Sequence, residues 1–432
     1  MSSEKTSIKT NSFIHFGCWN NGLCDKKKGI NDVSRVMNEL NKYARKNINF
    51  ISIAGDNYYP EKIKKEKSEK KEKREKSEKS KKSKKSEKKE GDKIKMIHTN
   101  ELVSGFNCLP NNVEINMILG NHDLETNTQN KRQLYVDDMT KMEDNCFILN
   151  TEIKEARKKP INEARKKPIN FVLQKTHELS ENTLIIMIDT SMYEDDANNY
   201  IPCYNEYFQE NGVIDLPITN IIDLPITNII ELQKLQRENI LHKLEELNKT
   251  YSNIIIIGHH PITGWKEKND NNILIHPSIE FIKLLMDIYE KHQLSKYYYL
   301  CADLHLYQQG TIKIDDKMVI EQYIVGTGGA ELDTAIDVEP GKTINPDMNI
   351  ILSYEMKQNI KTNGFLHCIE NGKQLCFKFI DVNNNSIIKN NCNSNSFDRY
   401  SRKSKSNKNS KLPKTIGGKK RRTIKTNNIK TI

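Results

Sequence analysis

Four runs of apolar residues, at 49–54, 114–119, 253–257 and 297–302, are rich in Ile, Leu, Met, Phe and Tyr and each stops abruptly at polar residues. They are too short for helices and apolar on both faces, the pattern of strands buried inside a sheet. Between them, 31–45 carries Val33, Val36, Met37 and Leu40 at helical spacing behind the cap residue Asn31, and 232–247 carries Leu235, Leu241 and Leu244. Alternating strands and helices predict an α/β sheet, in which the carboxyl ends of parallel strands share one edge and the loops leaving them meet at a crevice. A hairpin is expected over 364–381, with Phe365, Leu366, Cys368 and Ile369 opposite Leu375, Cys376, Phe377 and Phe379 across Asn371-Gly372.

Length changes this picture little, because much of the excess over one core is not core-forming. Of the 432 residues, 61–95 hold 18 Lys or Arg against 9 Asp or Glu, and 390–432 hold 13 against 1. With +11 overall, the rest of the chain carries a net −10, so attraction to nucleic acid or membrane would act through these segments. The expected organisation is a polar segment at 1–12, one domain at 13–381 with a Lys/Glu insertion at 61–95 that buries too little to fold, and a disordered basic tail at 382–432. The tail's Lys419-Lys420-Arg421-Arg422 fits a nuclear-localisation or nucleic-acid patch and equally a solubilising tail. Two tandem octapeptides, 155–162 copied at 163–170 and 214–221 copied at 222–229, are too short for a solenoid and read as loop duplications.

Nine cysteines, an odd number without a C-x-x-C pair, and an amino terminus lacking an apolar signal core argue against a disulfide framework and for a reducing, intracellular location. No apolar stretch approaches the ~20 residues of a spanning helix, so no membrane partner is expected.

The polar residues after the four runs are Gly55-Asp56-Asn57-Tyr58-Tyr59, Gly120-Asn121-His122-Asp123, Gly258-His259-His260-Pro261 and Asp303-Leu304-His305. A pair of catalytic ions needs a shared anion, held so that the ions stand roughly 3.5 to 4 Å apart, and neutral imidazoles beside it. Asp56 suits the shared position, although an aspartate there also caps helices. Asn121-His122 alone could be a turn, and Tyr59 alone could be packing; the His pair between an isoleucine strand and a proline is harder to explain structurally. Asp189-Thr190, after the apolar run 184–188, is assigned a structural role.

With these motifs in place the chain resembles the calcineurin-like metallophosphoesterases, in particular the purple or tartrate-resistant acid phosphatase branch. The resemblance extends over 13–381 without the insertion, and includes 300–308 as a degenerate C-G-H-D-H-x-x-Q and 324–329 as a strand and glycine turn. It implies a four-layer α/β/β/α sandwich with two mixed sheets, and two divalent or trivalent ions (Fe, Zn or Mn) bridged by Asp56. Tyr59 and His305 would hold the first ion, Asn121 and His259 the second. His122 would protonate the leaving group of a phosphorylated substrate, with His260 on the substrate side, after in-line attack by a metal-bound hydroxide. Two positions depart from the pattern: Cys18 stands where the opening aspartate belongs, and Asp303 where the closing motif has histidine. Cys18 as a thiol weakens the first site and as a thiolate favours zinc, while Asp303 makes the second site oxygen-rich and suited to Mn²⁺ or Mg²⁺. The alternative to an enzyme is a silent phosphatase fold whose basic tail binds nucleic acid or an acidic partner.

Overall fold

The computed structural model describes residues 10–25, 31–57, 59, 61–63, 93–95, 99–124, 166–211, 225–268, 271–275, 278–336 and 351–390. Its strands begin with β1 (Asn11–Phe16), β2 (Phe50–Ala54), β3 (Glu61–Ile63), β4 (Lys93–Lys95), β5 (Glu114–Ile118), β6 (Ile169–Phe171), β7 (Gln174–Glu178), β8 (Thr183–Ile188) and β9 (Asn253–Ile257). They continue with β10 (Trp265–Lys268), β11 (Asn271–Leu274), β12 (Lys296–Cys301), β13 (Tyr307–Ile314), β14 (Met318–Val325), β15 (Leu352–Ile360), β16 (Gly364–Asn371), β17 (Gln374–Asp381) and β18 (Ser386–Asn390). The α-helices are α1 (Asp32–Tyr43), α2 (Thr99–Cys108), α3 (Asn121–Leu124), α4 (Ile201–Asn211), α5 (Ile229–Leu247) and α6 (Ile279–Lys291).

Two seven-stranded mixed sheets carry the fold, in the orders β18-β17-β16-β1-β2-β5-β6 and β15-β13-β14-β12-β9-β8-β7. Each has a parallel centre: β1, β2 and β5 in the first, β8, β9, β12 and β14 in the second. Side chains alternate across each strand. Tyr298 therefore points to the other sheet, 5.0 Å from the ring of Phe377, while Tyr297 and Tyr299 turn outward to Tyr289 and Phe281 on α6. Tyr323 and Tyr307 likewise stack on Phe377 and Phe379, at 4.6 and 4.1 Å, and Tyr43 of α1 meets the outer face of the first sheet at Phe365. Helix, sheet, sheet and helix thus form the four layers expected. A fully buried large side chain contributes about 1.5–3 kcal/mol, more than the ~1 kcal/mol of a typical hydrogen bond, so the aromatic seam between the sheets holds the rim loops in place.

The helix ends follow local rules. The Asn31 side chain caps α1 by accepting from the Ser34 amide, and Asn228 caps α5 by accepting from Ile230. The α5 cap belongs to the second octapeptide copy, so that copy starts a helix as well as lengthening a loop. Most of the repeated residues lie outside the described set.

Three expectations need correction. The hairpin over 364–381 forms with Asn371 paired to Gln374, so its loop is Gly372-Lys373, and Gly372 takes the left-handed φ of 60°. The domain does not stop at Asp381: β18 pairs antiparallel with β17, its Ile388 opposite Phe379, and the ladder runs to Asn390. With only Ile387 and Ile388 as its apolar signal, β18 is recognisable through the edge it completes rather than through periodicity. The third correction concerns cysteine. Cys24 and Cys108 form a disulfide with Cα atoms 6.3 Å apart, and Cys203 and Cys376 each take part in a disulfide as well. Partners 84 residues apart cannot be read from spacing, and the argument for a reducing compartment loses its basis.

The two ends of the Lys/Glu insertion pair with each other, Glu61–Ile63 antiparallel to Lys93–Lys95, so this excursion leaves and returns at one place. The expected tail falls largely in the unit Cys392–Ile432, outside the described residues. No described helix is long and apolar enough to cross a membrane.

Candidate metal centre

Loops from the carboxyl ends of β1, β2, β5, β9 and β12 bring Cys18, Asp56, Tyr59, Asn121, His122, His259, His260, Asp303 and His305 to one rim. Two groups whose potential ligand atoms lie within 4.8 Å of one another emerge: Cys18, Asp56 and His305, and His259, His260 and Asp303. Close backbone approach makes this possible. A Cβ on Gly55 would collide with the His259 ring, and one on Gly120 with the Asp56 carboxylate, which is why a glycine precedes each of these motifs. Cys18, Asp56 and Asp303 all have left-handed φ values, 51°, 50° and 60°, that turn their side chains back toward the rim.

The imidazoles are oriented from behind. His259 Nδ1 lies 2.7 Å from the Ala54 carbonyl, which can only accept, so Nδ1 carries the proton. In the neutral ring Nε2 is then a lone pair, and it faces Asn121 Oδ1 at 3.2 Å, Asp56 Oδ1 at 3.3 Å and Asp303 Oδ1 at 4.0 Å. The four acceptors that converge there repel one another unless a cation sits among them. Without a metal the cation is a proton. Burial alone would lower the His259 pKa, but the Asp56 charge prevails and raises it to about 10. Burial likewise opposes ionisation of Asp56, and His259 overrides it and holds the carboxyl well below its usual range.

His305 repeats the device: Nδ1 donates to the Glu331 carbonyl at 2.7 Å, leaving Nε2 to meet the Tyr59 hydroxyl at 3.1 Å. Cys18 Sγ stands 3.8 Å from Asp56 Oδ2, the carboxylate oxygen turned away from His259. Burial, and then the charges of Asp56 and Asp303, push the Cys18 thiol up; burial and Asp56 do the same to Tyr59. Buried acids, imidazoles, an amide oxygen and a sulfur around one nearly inaccessible carboxylate make a donor set that fits metal ions.

Several groups support the site in ways the sequence reading did not specify, although it gave Asp189-Thr190 a structural role. Asp123 accepts from Asn57 N, Asn57 Nδ2 and Gly120 N, fastening the Asp56 turn to the Asn121 turn; burial and then the Asp56 charge raise its pKa to about 7. Thr190 Oγ1 accepts from the amides of both His259 and His260 at 2.9 Å, and so holds the histidine turn from the neighbouring strand. His260 differs from His259 in that both its nitrogens face protein: Nδ1 is 3.2 Å from Thr190 Oγ1 and Nε2 is 3.0 Å from Glu194 Oε1. The Glu194 contact is close but off the line of a hydrogen bond. His122 is half-buried, its amide 3.4 Å from Asp56 Oδ1 and its ring centre 5.0 Å from that of Tyr59. Of these supports only Asp189-Thr190 and Asp123 had a signal in the sequence, each lying directly after an apolar run or within a motif. Tyr58 lies outside the described residues.

No protein-family model matches the chain, and no curated protein matches it. Among solved structures it is similar to one titled "GAP50 the anchor in the inner membrane complex of Plasmodium", at 12% identity and a TM-score of 0.42, covering 89% of each chain. It is also similar to PhoD, at 10% identity and a TM-score of 0.43, covering 89% of this chain and 69% of that one. Likeness at this level carries no argument about activity, and the case for a metal centre rests on the side chains themselves.

Proposed function

We propose that the chain is a metal-dependent phosphoesterase that hydrolyses a phosphomonoester. The observation that carries this reading is the gathering of oxygens from Asp56, Asn121 and Asp303 around His259 Nε2, whose ring is held from behind by the Ala54 carbonyl. Asp56 would be shared by two ions, with Cys18, Tyr59 and His305 on the first and Asn121, His259 and Asp303 on the second. Ions so held supply an activated water and positive charge against the phosphoryl oxygens. His122, outside both ligand sets and half-buried beside them, gives its proton to the leaving oxygen as the bond to phosphorus breaks. His260, pinned between Thr190 and Glu194, forms part of the substrate-side wall.

Hydrolysis of p-nitrophenyl phosphate by the full chain, supplied with Mn²⁺, Fe²⁺ or Zn²⁺, tests the proposal. The expected result is metal-dependent turnover that falls on the order of 10³-fold in Asp56→Asn, because that change removes the one carboxylate common to both ions. Absence of turnover with every ion, while the ions bind, overturns the enzyme and leaves a phosphatase-fold binding module. The replacement at Cys18 is the observation that favours this second reading, and salt-sensitive nucleic-acid binding lost on deleting 390–432 would support it.

A further inference from the structure

Among the described residues cysteine is used in three ways. Cys24 and Cys108 are bridged, whereas Cys18, Cys301 and Cys368 are free and buried. Cys301 Sγ turns to the Tyr323 carbonyl at 3.7 Å, and Cys368, on β16 opposite Phe377, belongs to the hydrophobic core. Among these free cysteines only Cys18 belongs to a group of potential metal ligands, with Asp56 and His305. Its direction is set by backbone bonds from both sheets: Cys18 N donates to Gly55 O at 3.2 Å, Ala330 N donates to Cys18 O at 3.1 Å, and Gly17 N donates to Val325 O at 3.0 Å. A Cβ on Gly326 would collide with the Leu304 carbonyl and stand 3.3 Å from Sγ, so the backbone of the Asp303 loop requires the glycine and the sulfur lies close beside it.

We infer that Cys18 is a thiolate ligand, and that it makes the first half of the centre selective for a thiophilic divalent ion while the half around His259, Asn121 and Asp303 takes a harder one. The inference rests on the metal-dependent reading above. Sulfur, imidazole, phenol and one carboxylate are a mixed set of four donors of the kind that zinc and cobalt accept. One imidazole among three oxygens, two of them from carboxylates, is the kind of set that manganese or magnesium accepts. On loading, the Cys18 S–H bond gives way to a bond between sulfur and metal and the proton leaves to solvent; nothing is oxidised or reduced.

The test is titration of the metal-stripped full chain with Co²⁺ alone, followed by absorption in the near ultraviolet and by direct metal analysis. The wild type is expected to develop a sulfur-to-cobalt charge-transfer band. That band should vanish in Cys18→Ser and in Cys18→Asp, with cobalt still bound by Cys18→Asp, whose oxygen ligand also guards against a variant that fails to fold. Cys18→Asp should in addition shift the zinc-to-manganese preference on the order of tenfold toward manganese. Cobalt bound by the wild type without the band, or a band that persists in Cys18→Ser, overturns the thiolate ligand and leaves the metal-dependent reading standing. If the wild type binds no cobalt at all, both fall.

Discussion

The two groups of candidate ligands meet at Asp56 on the rim of one sandwich, and differ in what surrounds the imidazole. His259 looks onto three oxygens, whereas His305 looks onto a phenol in a pocket that also holds a thiol. Their imidazoles are nevertheless held alike, each donating Nδ1–H to a carbonyl, Ala54 or Glu331, at 2.7 Å. The comparison separates two layers of control. Backbone carbonyls decide that a nitrogen lone pair is offered, and they are insensitive to side-chain replacement. Single side chains at the ends of β1 and β12, Cys18 and Asp303, decide how hard the rest of each set is.

Three perturbations go beyond the Asp56 and Cys18 variants, two of them separating the halves and one testing the sandwich that holds both. The largest effect on stability is expected on removing the Cys24–Cys108 bridge, which closes a loop of 84 residues and restrains the unfolded chain by on the order of 4 kcal/mol. Denaturant unfolding of Cys24→Ser/Cys108→Ser should show a loss of this size. Because Cys24 lies six residues after Cys18 in the segment that follows β1, metal titration should weaken at the first half more than at the second. Equal weakening would show that the bridge does not act through that loop.

Next comes acid. His15 is buried between the sheets, with ring nitrogens on Ser52 Oγ at 3.2 Å and the Cys301 carbonyl at 3.3 Å, and burial lowers its pKa to about 4. Its folded pKa lies below the unfolded value, so the unfolded chain binds the extra proton first. The contribution is therefore complete above about pH 6.5, shrinks as pH falls toward 4, and amounts to about 3 kcal/mol in all. His15→Asn should flatten the fall in melting temperature over this window. An unchanged slope would assign the acid sensitivity elsewhere.

The smallest effect is expected from Thr190→Val, which leaves the His259 and His260 amides without the hydroxyl that both donate to, at a cost of about 1–3 kcal/mol. It should weaken metal binding at the second half and leave the first unchanged in the same titration. Loss at both halves, or at neither, would mean that the histidine turn is held by other bonds.

The comparison also shows what kind of information each half needed. Strand runs, the helix cap at Asn31, the hairpin around Gly372 and the order of the ligand motifs were legible because they depend on a few neighbouring residues, within the range of backbone periodicity. Gly55 and Gly120 were visible as parts of their own motifs, but what each makes room for, the His259 ring and the Asp56 carboxylate, belongs to another motif. The reading failed where a short signal depended on a distant partner: β18 needed the edge of β17, and Cys24 needed Cys108.

By itself, then, the chain determined which side chains end each buried strand, and so which donors are available at the rim. Only the tertiary structure decided which nitrogen of His259 and His305 is offered, because Ala54 and Glu331 are brought to those rings from elsewhere in the chain. It also decided that Thr190 and Glu194 share His260 and that the Cys18 sulfur turns toward a carboxylate. The physical reason is range: periodicity and capping act between near neighbours, whereas the direction of a proton or lone pair depends on whatever group the packed sheets place across from it.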